Sequence, residues 1–315
     1  LPYRESNLSM VLLLPEEDRF EEVEAALSAD LVSGVVAALA TEQVRLSLLS
    51  EHSAATPGST HWLGLRFELI PHWHVYWRNP GDSGEAPRVE WSLPDGWQAG
   101  EIHWPVPERI PVGPLVNYGY EDSVTLLVPV TVPADATTGD TPQIDAAVRW
   151  LVCKEECIPQ DGRVGLELAV GSSGSTATDG FEAVRARWPV ALPGTAHYEP
   201  MPGGLTLHIR DSTLAFSGAD SAWFAATTWG PIAPSGEQTW QADADGLTLQ
   251  LPAGDAPLAD GAVLDGLLVV ADSTSGTRLT RGFALTALPA PPDAAAADPA
   301  RAPTTLLIAF GLALL

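Results

Sequence analysis

Apolar and polar residues alternate with a period of two along most of the chain from about residue 42 onward. In "HWLGLRFELI" (61–70), Leu63, Leu65, Phe67 and Leu69 share one face of an extended strand. The segments with this alternation are bounded by Pro, Gly or Asp, which favour turns. Short alternating strands separated by turns are typical of β-sandwiches, so we predict an all-β protein.

The strands fall into two sets, which predicts two β-sandwich domains in tandem, at 42–172 and 195–288. The linker between them, 173–194, contains most of the polar run "GSSGSTATDG" (171–180) and one short helical segment, "FEAVRARW". Predicted strands of the second domain include "GLTLHIR", "STLAFSG" and "GLTLQLP". We find no catalytic constellation in it, and we interpret His197 and His208 as isolated, with His208 facing solvent.

The two ends of the chain follow other patterns. Residues 1–41 combine a short strand with a segment of helical spacing, which predicts a short α/β element. At the other end, a Pro/Ala linker (289–303) precedes the uncharged, apolar run 304–315. That run is shorter than the roughly 20 residues that span a bilayer, so we predict the truncated start of a transmembrane helix.

Charge and cysteine content narrow the possible functions. The 40 acidic residues outnumber the 16 basic ones and give a net charge of −24. Because a polyanion is repelled by phosphate backbones, we predict no nucleic-acid partner. The chain has only 2 cysteines, too few for a disulfide scaffold or for a zinc site of four thiolates.

Both cysteines lie in "VRWLVCKEECIPQDG" (148–162). We predict a strand that ends near Cys153, a loop that contains Cys157 and a turn at Asp161–Gly162, with the next strand at 163–170. Three interpretations remain open. The pair is a structural disulfide, a redox dithiol, or a copper or zinc site with His72 or His74.

Longer segments around this pair resemble a known family. "GLRFELIPHWHVYWRNPGDSGEAP", "IHWPVPERIPVGPLVNYGYEDSVTLLVPV" and "VRWLVCKEECIP" are similar to the N-terminal periplasmic domain of membrane thiol:disulfide interchange reductases of the DsbD type, and most of all to the ScsB group. The resemblance implies two immunoglobulin-like domains in the periplasm, anchored to the inner membrane by parts beyond this chain. Residues 1–41 stand where a signal peptide is expected. They resemble an internal serpin segment, and we interpret them as adventitious.

The resemblance also implies a function and a set of site residues. The family reduces protein disulfides in periplasmic partners with electrons from a thioredoxin-like domain, and it uses no organic cofactor. Cys157 would form the mixed disulfide, and Cys153, expected to be more buried, would resolve it. A cap loop without strand pairing is expected at 105–120. Residues assigned to cap and rim binding are Tyr76, Glu108, Tyr118 and Tyr120. The alternative function is a copper-binding or copper-tolerance module that uses the cysteine pair and the nearby histidines.

Overall fold

The computed structural model of the protein describes residues 38–172, 180–211, 216–243, 246–274 and 277–290. Outside these ranges lie residues 1–37 of the predicted N-terminal segment, 291–303 of the Pro/Ala linker and the predicted start of a transmembrane helix. Within the described ranges, no helix is long and apolar enough to cross a membrane. The described chain is all-β, as predicted, and divides between Pro189 and Val190 into two compact units.

The first unit is a sandwich of two antiparallel sheets. One sheet has the order β1-β2-β4-β10-β7, and the other has the order β12-β11-β5-β9-β8, with β6 also paired to β11. The short strands β3 and β13 pair in parallel. The strands are β1 (Ala38–Ala40), β2 (Val44–Ser50), β3 (Ala54–Ala55), β4 (Thr60–Leu69), β5 (His74–Gly81), β6 (Arg88–Ser92), β7 (Gln98–Ala99), β8 (Glu108–Val112), β9 (Leu115–Glu121), β10 (Ser123–Thr131), β11 (Gln143–Cys153), β12 (Cys157–Glu167) and β13 (Ala169–Val170).

The core of this unit lies between the two sheets. Leu63, Leu65 and Phe67 of β4 are fully buried, as their alternation predicts. Trp150 of β11 is also buried, and its ring meets the Phe67 ring edge-to-face at 5.8 Å. The two inner faces therefore interdigitate, which fixes the strand that leads to Cys153 against the opposite sheet.

Within the described ranges there is one short α-helix, α1 (Phe181–Arg185), which confirms the helical segment predicted in "FEAVRARW". Phe181 is buried, and Arg185 forms a bidentate ion pair with Glu51, at 2.7 and 2.8 Å. The Arg185 guanidinium also lies 5.4 Å from the centre of the Trp62 ring. The helix is therefore held against the first sandwich by an apolar contact and a charged one.

The second unit has the strand order β17-β20-β21-β15-β16-β19-β18, with β14 also paired to β21. Its strands are β14 (Val190–Ala191), β15 (Thr195–Met201), β16 (Gly204–Arg210), β17 (Ala219–Ala226), β18 (Thr239–Ala242), β19 (Gly246–Pro252), β20 (Leu264–Thr274) and β21 (Thr277–Pro289). Strand β21 pairs with β20 along its length and with β15 at its end. Leu207, Phe224, Leu249 and Leu268 are fully buried in its core.

Three local predictions are wrong. Segment 105–120 is not an unpaired loop, because β8 and β9 form a hairpin whose turn uses Gly113 at φ +59°. Strand β12 begins at Cys157 and continues through Pro159 and the predicted Asp161–Gly162 turn. This is possible because β12 is an edge strand, where one side of the backbone has no neighbouring strand and proline is tolerated. In "STLAFSG", the described Phe216–Gly218 form a 3-10 turn instead of a strand.

Candidate functional site

The two cysteines close a β-hairpin. Cys153 is the last residue of β11, Cys157 is the first residue of β12, and the two are directly paired across the strands with their Cα atoms 4.2 Å apart. They form a disulfide. The turn between them consists of Lys154, Glu155 and Glu156, which are all exposed. The bond therefore lies at the end of the sheet, beside a charged, solvent-facing turn.

The two sulfur-bearing residues differ in accessibility. Cys153 is 2% exposed, whereas Cys157 is exposed. This is the burial difference expected from the sequence, although Cys157 begins a strand and does not lie in a loop. An incoming thiolate must approach a sulfur along the S–S axis, so Cys157 offers the accessible point of attack.

The strand beside β11 supplies a tyrosine next to this sulfur. Cys153 is paired with His74 at the start of β5, and Tyr76 lies two residues further along β5. The Tyr76 Oη atom is 3.5 Å from Cys157 Sγ. Because a sulfur in a disulfide carries no proton, the Tyr76 hydroxyl is the donor of this hydrogen bond.

A buried amide connects Tyr76 to two other polar side chains. Asn117 Nδ2 donates to Tyr76 Oη at 3.4 Å and to His74 Nε2 at 3.2 Å. Asn117 Oδ1 accepts from Ser83 Oγ at 2.9 Å. Both amide hydrogens and the amide oxygen of Asn117 therefore have partners, and a fully satisfied buried network of this kind holds its members in one arrangement.

Burial determines the protonation states in this network. It lowers the pKa of His74 to about 4, so the ring is neutral at physiological pH and its Nε2 accepts a hydrogen bond. Burial also raises the pKa of Tyr76 to about 12, and the smaller effect of the nearby Ser83 side chain opposes this shift. Tyr76 consequently keeps its proton, and its ability to donate, throughout the physiological pH range.

The loop after β5 packs on the Tyr76 ring. Gly84 has φ +98°, and a Cβ atom at this position would lie 2.1 Å from the ring. Asp82 anchors the same loop to β9, because its carboxylate accepts from Val116 N at 2.8 Å and its own N–H donates to Val116 O at 3.0 Å. The loop therefore packs closely against the Tyr76 ring and restricts its position.

The other predicted site residues lie elsewhere. Tyr118 and Tyr120 are buried in the first unit, with exposed fractions of 1% and 0%, and Tyr120 Oη donates to Pro105 O at 2.8 Å. Glu108 is exposed at the start of β8, where partial desolvation of its carboxyl and then the charge of Glu121 raise its pKa. Segment 105–120 is expected to cover the cysteine pair. In this structure Cys157 is exposed with the β8–β9 hairpin formed, so that covering role stays a prediction.

Sequence reasoning missed Asn117 and Ser83. The available signal was Asn117, the one amide side chain in the run "VNYGY". An amide between residues that are predicted to lie in the core of a strand needs hydrogen-bond partners there. Ser83 lies in "NPGDSGEAP", which reads as an ordinary turn. Its contact with Asn117 spans 34 residues of sequence and depends on the pairing of β5 with β9.

The two histidines considered as metal ligands lie in different environments. His72 is exposed, in a turn with φ +71°, whereas His74 is 1% exposed and bonded to Asn117. Among the described residues, the one group of three or more His, Cys, Asp or Glu ligand atoms close enough to share an ion lies in the second unit, and it includes neither cysteine.

Comparison with known proteins identifies the domain that contains this site. The family model described as "Thiol:disulfide interchange protein DsbD, N-terminal" matches residues 45–168, which include both cysteines, Tyr76 and Asn117. No match to a curated protein was found.

Among solved structures, the chain resembles the N-terminal periplasmic domain of ScsB from Proteus mirabilis, with a TM-score of 0.58 and 20% identity over 80% of this chain and 97% of that one. The CupB2 chaperone of Pseudomonas aeruginosa aligns over 75% of this chain and 100% of its own, with 8% identity. Its TM-score of 0.19 is too low to indicate a shared fold. The ScsB likeness indicates that the tandem sandwich fold is shared.

Proposed function

Because residues 45–168 belong to the family of DsbD N-terminal domains, which are thiol:disulfide interchange domains, we propose that this chain acts as a protein-disulfide reductase. It accepts two electrons from a thioredoxin-like domain and passes them to disulfides of partner proteins. Cys153 and Cys157 carry the electrons, and no organic cofactor takes part. By the same family membership, we propose that the domain works in the periplasm as part of an inner-membrane protein.

The observation that carries this proposal is the asymmetry of the pair. In the reducing step, the Cys157 thiolate attacks a partner disulfide, forms a mixed disulfide and releases one partner thiolate. The Cys153 thiolate then attacks Cys157 Sγ, which releases the second partner thiolate and restores the Cys153–Cys157 bond. Two electrons reach the partner, and a buried Cys153 can resolve the intermediate without exposure to solvent.

The surroundings of Cys157 support the same assignment. The Tyr76 hydroxyl that contacts the disulfide sulfur is placed to donate to a Cys157 thiolate after reduction. A hydrogen bond to the charged form favours that form, so the contact makes Cys157 a better leaving group and raises its thiolate fraction. The exposed turn also leaves room for a partner protein next to the sulfur.

The copper-binding alternative has less support at this pair. His74 has its Nε2 atom engaged by Asn117 and is buried, and His72 is held apart from it in an exposed turn. With the two sulfurs joined, neither is a thiolate ligand. We therefore retain the redox function as the one that the site supports best.

The proposal is tested by trapping the mixed disulfide. Cys153→Ser removes the resolving thiol, so reduced Cys157 should form a stable adduct with a thioredoxin-like protein that keeps only its first active-site cysteine, supplied as a mixed disulfide with a small thiol that leaves. Cys157→Ser leaves only the buried thiol and should trap at least tenfold less. The adducts are quantified on non-reducing gels and identified by mass spectrometry, after circular dichroism has confirmed that both variants are folded.

Equal trapping by the two variants would show that the roles of the cysteines are wrongly assigned. If neither variant forms an adduct and a reduced thioredoxin-like protein leaves the wild-type bond intact, the disulfide is structural and the reductase proposal fails.

A further inference from the structure

Strands β15 and β16 of the second unit bring together two histidines that the sequence suggested were isolated. His197 and His208 are directly paired across the antiparallel strands, and their rings stack with centres 5.0 Å apart and an angle of 22°. Glu199 lies two residues after His197 on β15, so it is on the same face of the sheet. The interpretation of the two histidines as isolated is therefore wrong, whereas His208 does lie on the outer face of β16, between buried Leu207 and Ile209.

The three side chains can reach a common point. One ligand atom from each of His197, Glu199 and His208 lies within 4.8 Å of the other two, and all three residues are only partly buried. Ligand atoms on one tetrahedral zinc ion, at metal–ligand distances of about 2.0–2.2 Å, are roughly 3.3 Å apart. Small rotations of these partly buried side chains are sufficient to close the remaining gap.

The neighbouring strand orients one of the imidazoles. Thr248 of β19 is paired with His208, and its Oγ1 atom lies 3.3 Å from His208 Nδ1. When Nδ1 carries the proton and donates to this hydroxyl, the Nε2 lone pair is free for a ligand. Metal-binding histidines usually donate their second ring N–H to an oxygen in this way, which holds the ring in a productive tautomer.

The local charges are compatible with a cation. The nearest basic side chain on the same strand is Arg210, and it is ion-paired with Asp243 at 3.1 Å. Glu199 supplies a negative charge at the site, and the strongly acidic chain attracts cations in general.

We propose that His197, Glu199 and His208 bind one divalent transition-metal ion of the Zn²⁺ or Cu²⁺ type, with water completing the coordination. Two imidazoles and one carboxylate form a donor set that suits zinc, and the order of affinities for such ligands favours Cu²⁺ still more. The ion would cross-link β15 and β16. The site is independent of the cysteine pair, which lies in the other unit.

The test uses Zn²⁺ as the probe and the whole chain with its disulfide oxidised, so that no thiolate competes for metal. Isothermal titration at pH 7.5 in a non-chelating buffer should show one equivalent bound to the wild type. His197→Ala and His208→Ala should each weaken the affinity at least tenfold and abolish the zinc-induced rise in melting temperature. His72→Ala removes an exposed histidine of the first unit and serves as the matched control, with unchanged binding.

A second readout identifies the ligands directly. The electron paramagnetic resonance spectrum of one equivalent of Cu²⁺ should show hyperfine coupling to two imidazole nitrogens in the wild type, and to one in His208→Gln. That conservative variant also serves if His208→Ala does not fold. Zinc affinity and copper spectra that are unchanged in both His197 and His208 variants, or that change equally in the His72 control, would overturn the proposal.

Discussion

The Tyr76 hydroxyl lies 3.5 Å from Cys157 Sγ, although β11 separates the strands that carry the two residues. The side chain reaches across β11 at the end of the sheet, beside Cys153. This contact links the accessible sulfur to the buried network of His74, Asn117 and Ser83. The protein thereby places a hydrogen-bond donor with a pKa of about 12 against the exposed sulfur of the disulfide.

Tyr76→Phe should slow thiol–disulfide exchange at Cys157. A hydrogen bond to a charged group contributes roughly 1.5 kcal/mol, which corresponds to about one pKa unit of the thiol. We therefore expect the Cys157 thiol to titrate about one unit higher and to react roughly tenfold more slowly with iodoacetamide at pH 7. The pH dependence of alkylation of the reduced protein, followed by mass spectrometry, measures both quantities.

Tyr120→Phe is the matched control for this substitution. It also removes a buried hydroxyl with a hydrogen bond, to Pro105 O, but this bond is not part of the network at Cys157. It should lower the free energy of unfolding by about 1 kcal/mol and leave the alkylation profile of Cys157 unchanged. A Cys157 profile that shifts equally in the two variants would show that Tyr76 acts only through stability.

Gly84→Ala should displace Tyr76, because the new Cβ atom would lie 2.1 Å from its ring. Gly139→Ala provides the control, since Gly139 has the same φ of +98° but no atom within 4 Å of an added Cβ. Both changes impose backbone strain of about 1 kcal/mol, and Gly84→Ala should cost a further 1–3 kcal/mol from overpacking. Urea unfolding of the two variants measures the difference, and equal losses would mean that the Gly84 loop yields without strain.

Acid should destabilise the first unit through His74. Its pKa is about 4 in the folded protein and 6.5 when unperturbed, so between these values the unfolded state binds a proton that the folded state does not. The stabilisation is therefore complete above pH 6.5 and is lost as the pH falls towards 4. A shift of this size corresponds to about 3 kcal/mol.

This pH effect is measured by comparing variants, because His61 is also buried and its pKa is also lowered to about 4. The unfolding free energy of His74→Gln should fall by about 3 kcal/mol less than that of the wild type between pH 7 and pH 4. His72→Gln, a change at the exposed histidine two residues away, should follow the wild-type curve. A His74→Gln curve parallel to the wild type would contradict the proposed neutral state of His74.

Arg185→Leu should loosen the attachment of α1 to the first sandwich. Glu51 is 8% exposed, and the substitution leaves its carboxylate without its bidentate partner. We expect a loss of about 2 kcal/mol in unfolding free energy, less than for a fully buried pair because Arg185 is partly solvated. Arg187→Leu, at an exposed position, should cost under 0.5 kcal/mol. The double variant Arg185→Leu/Glu51→Leu should recover part of the loss, because it removes the unpaired carboxylate. Equal effects of the two arginine changes would remove the role of the ion pair.

Much of the fold could be predicted because strand periodicity is a local property. The faces of β4 and β11 follow from alternation alone, and the structure buries the residues that alternation selects, except for Leu69 at the end of β4, which is partly buried. The errors occur where pairing overrides local signals. Pro159 and Asp161–Gly162 read as a turn, but eleven residues of β12 pair with β11 because the edge of a sheet tolerates them. Segment 105–120 read as a proline-rich loop, yet its prolines fit a hairpin at the opposite edge of the same sheet.

The sequence by itself determined the class of the protein and the position of its cysteine pair, since strand alternation, turn residues and the four-residue cysteine spacing are read along the chain. Only the tertiary structure decided which side chains meet. The register of β5 against β9 joins Tyr76 to Asn117, and the register of β15 against β16 places His197 opposite His208. Such contacts depend on the pairing of strands distant in sequence, and a shift of one residue would turn each side chain to the other face of its sheet.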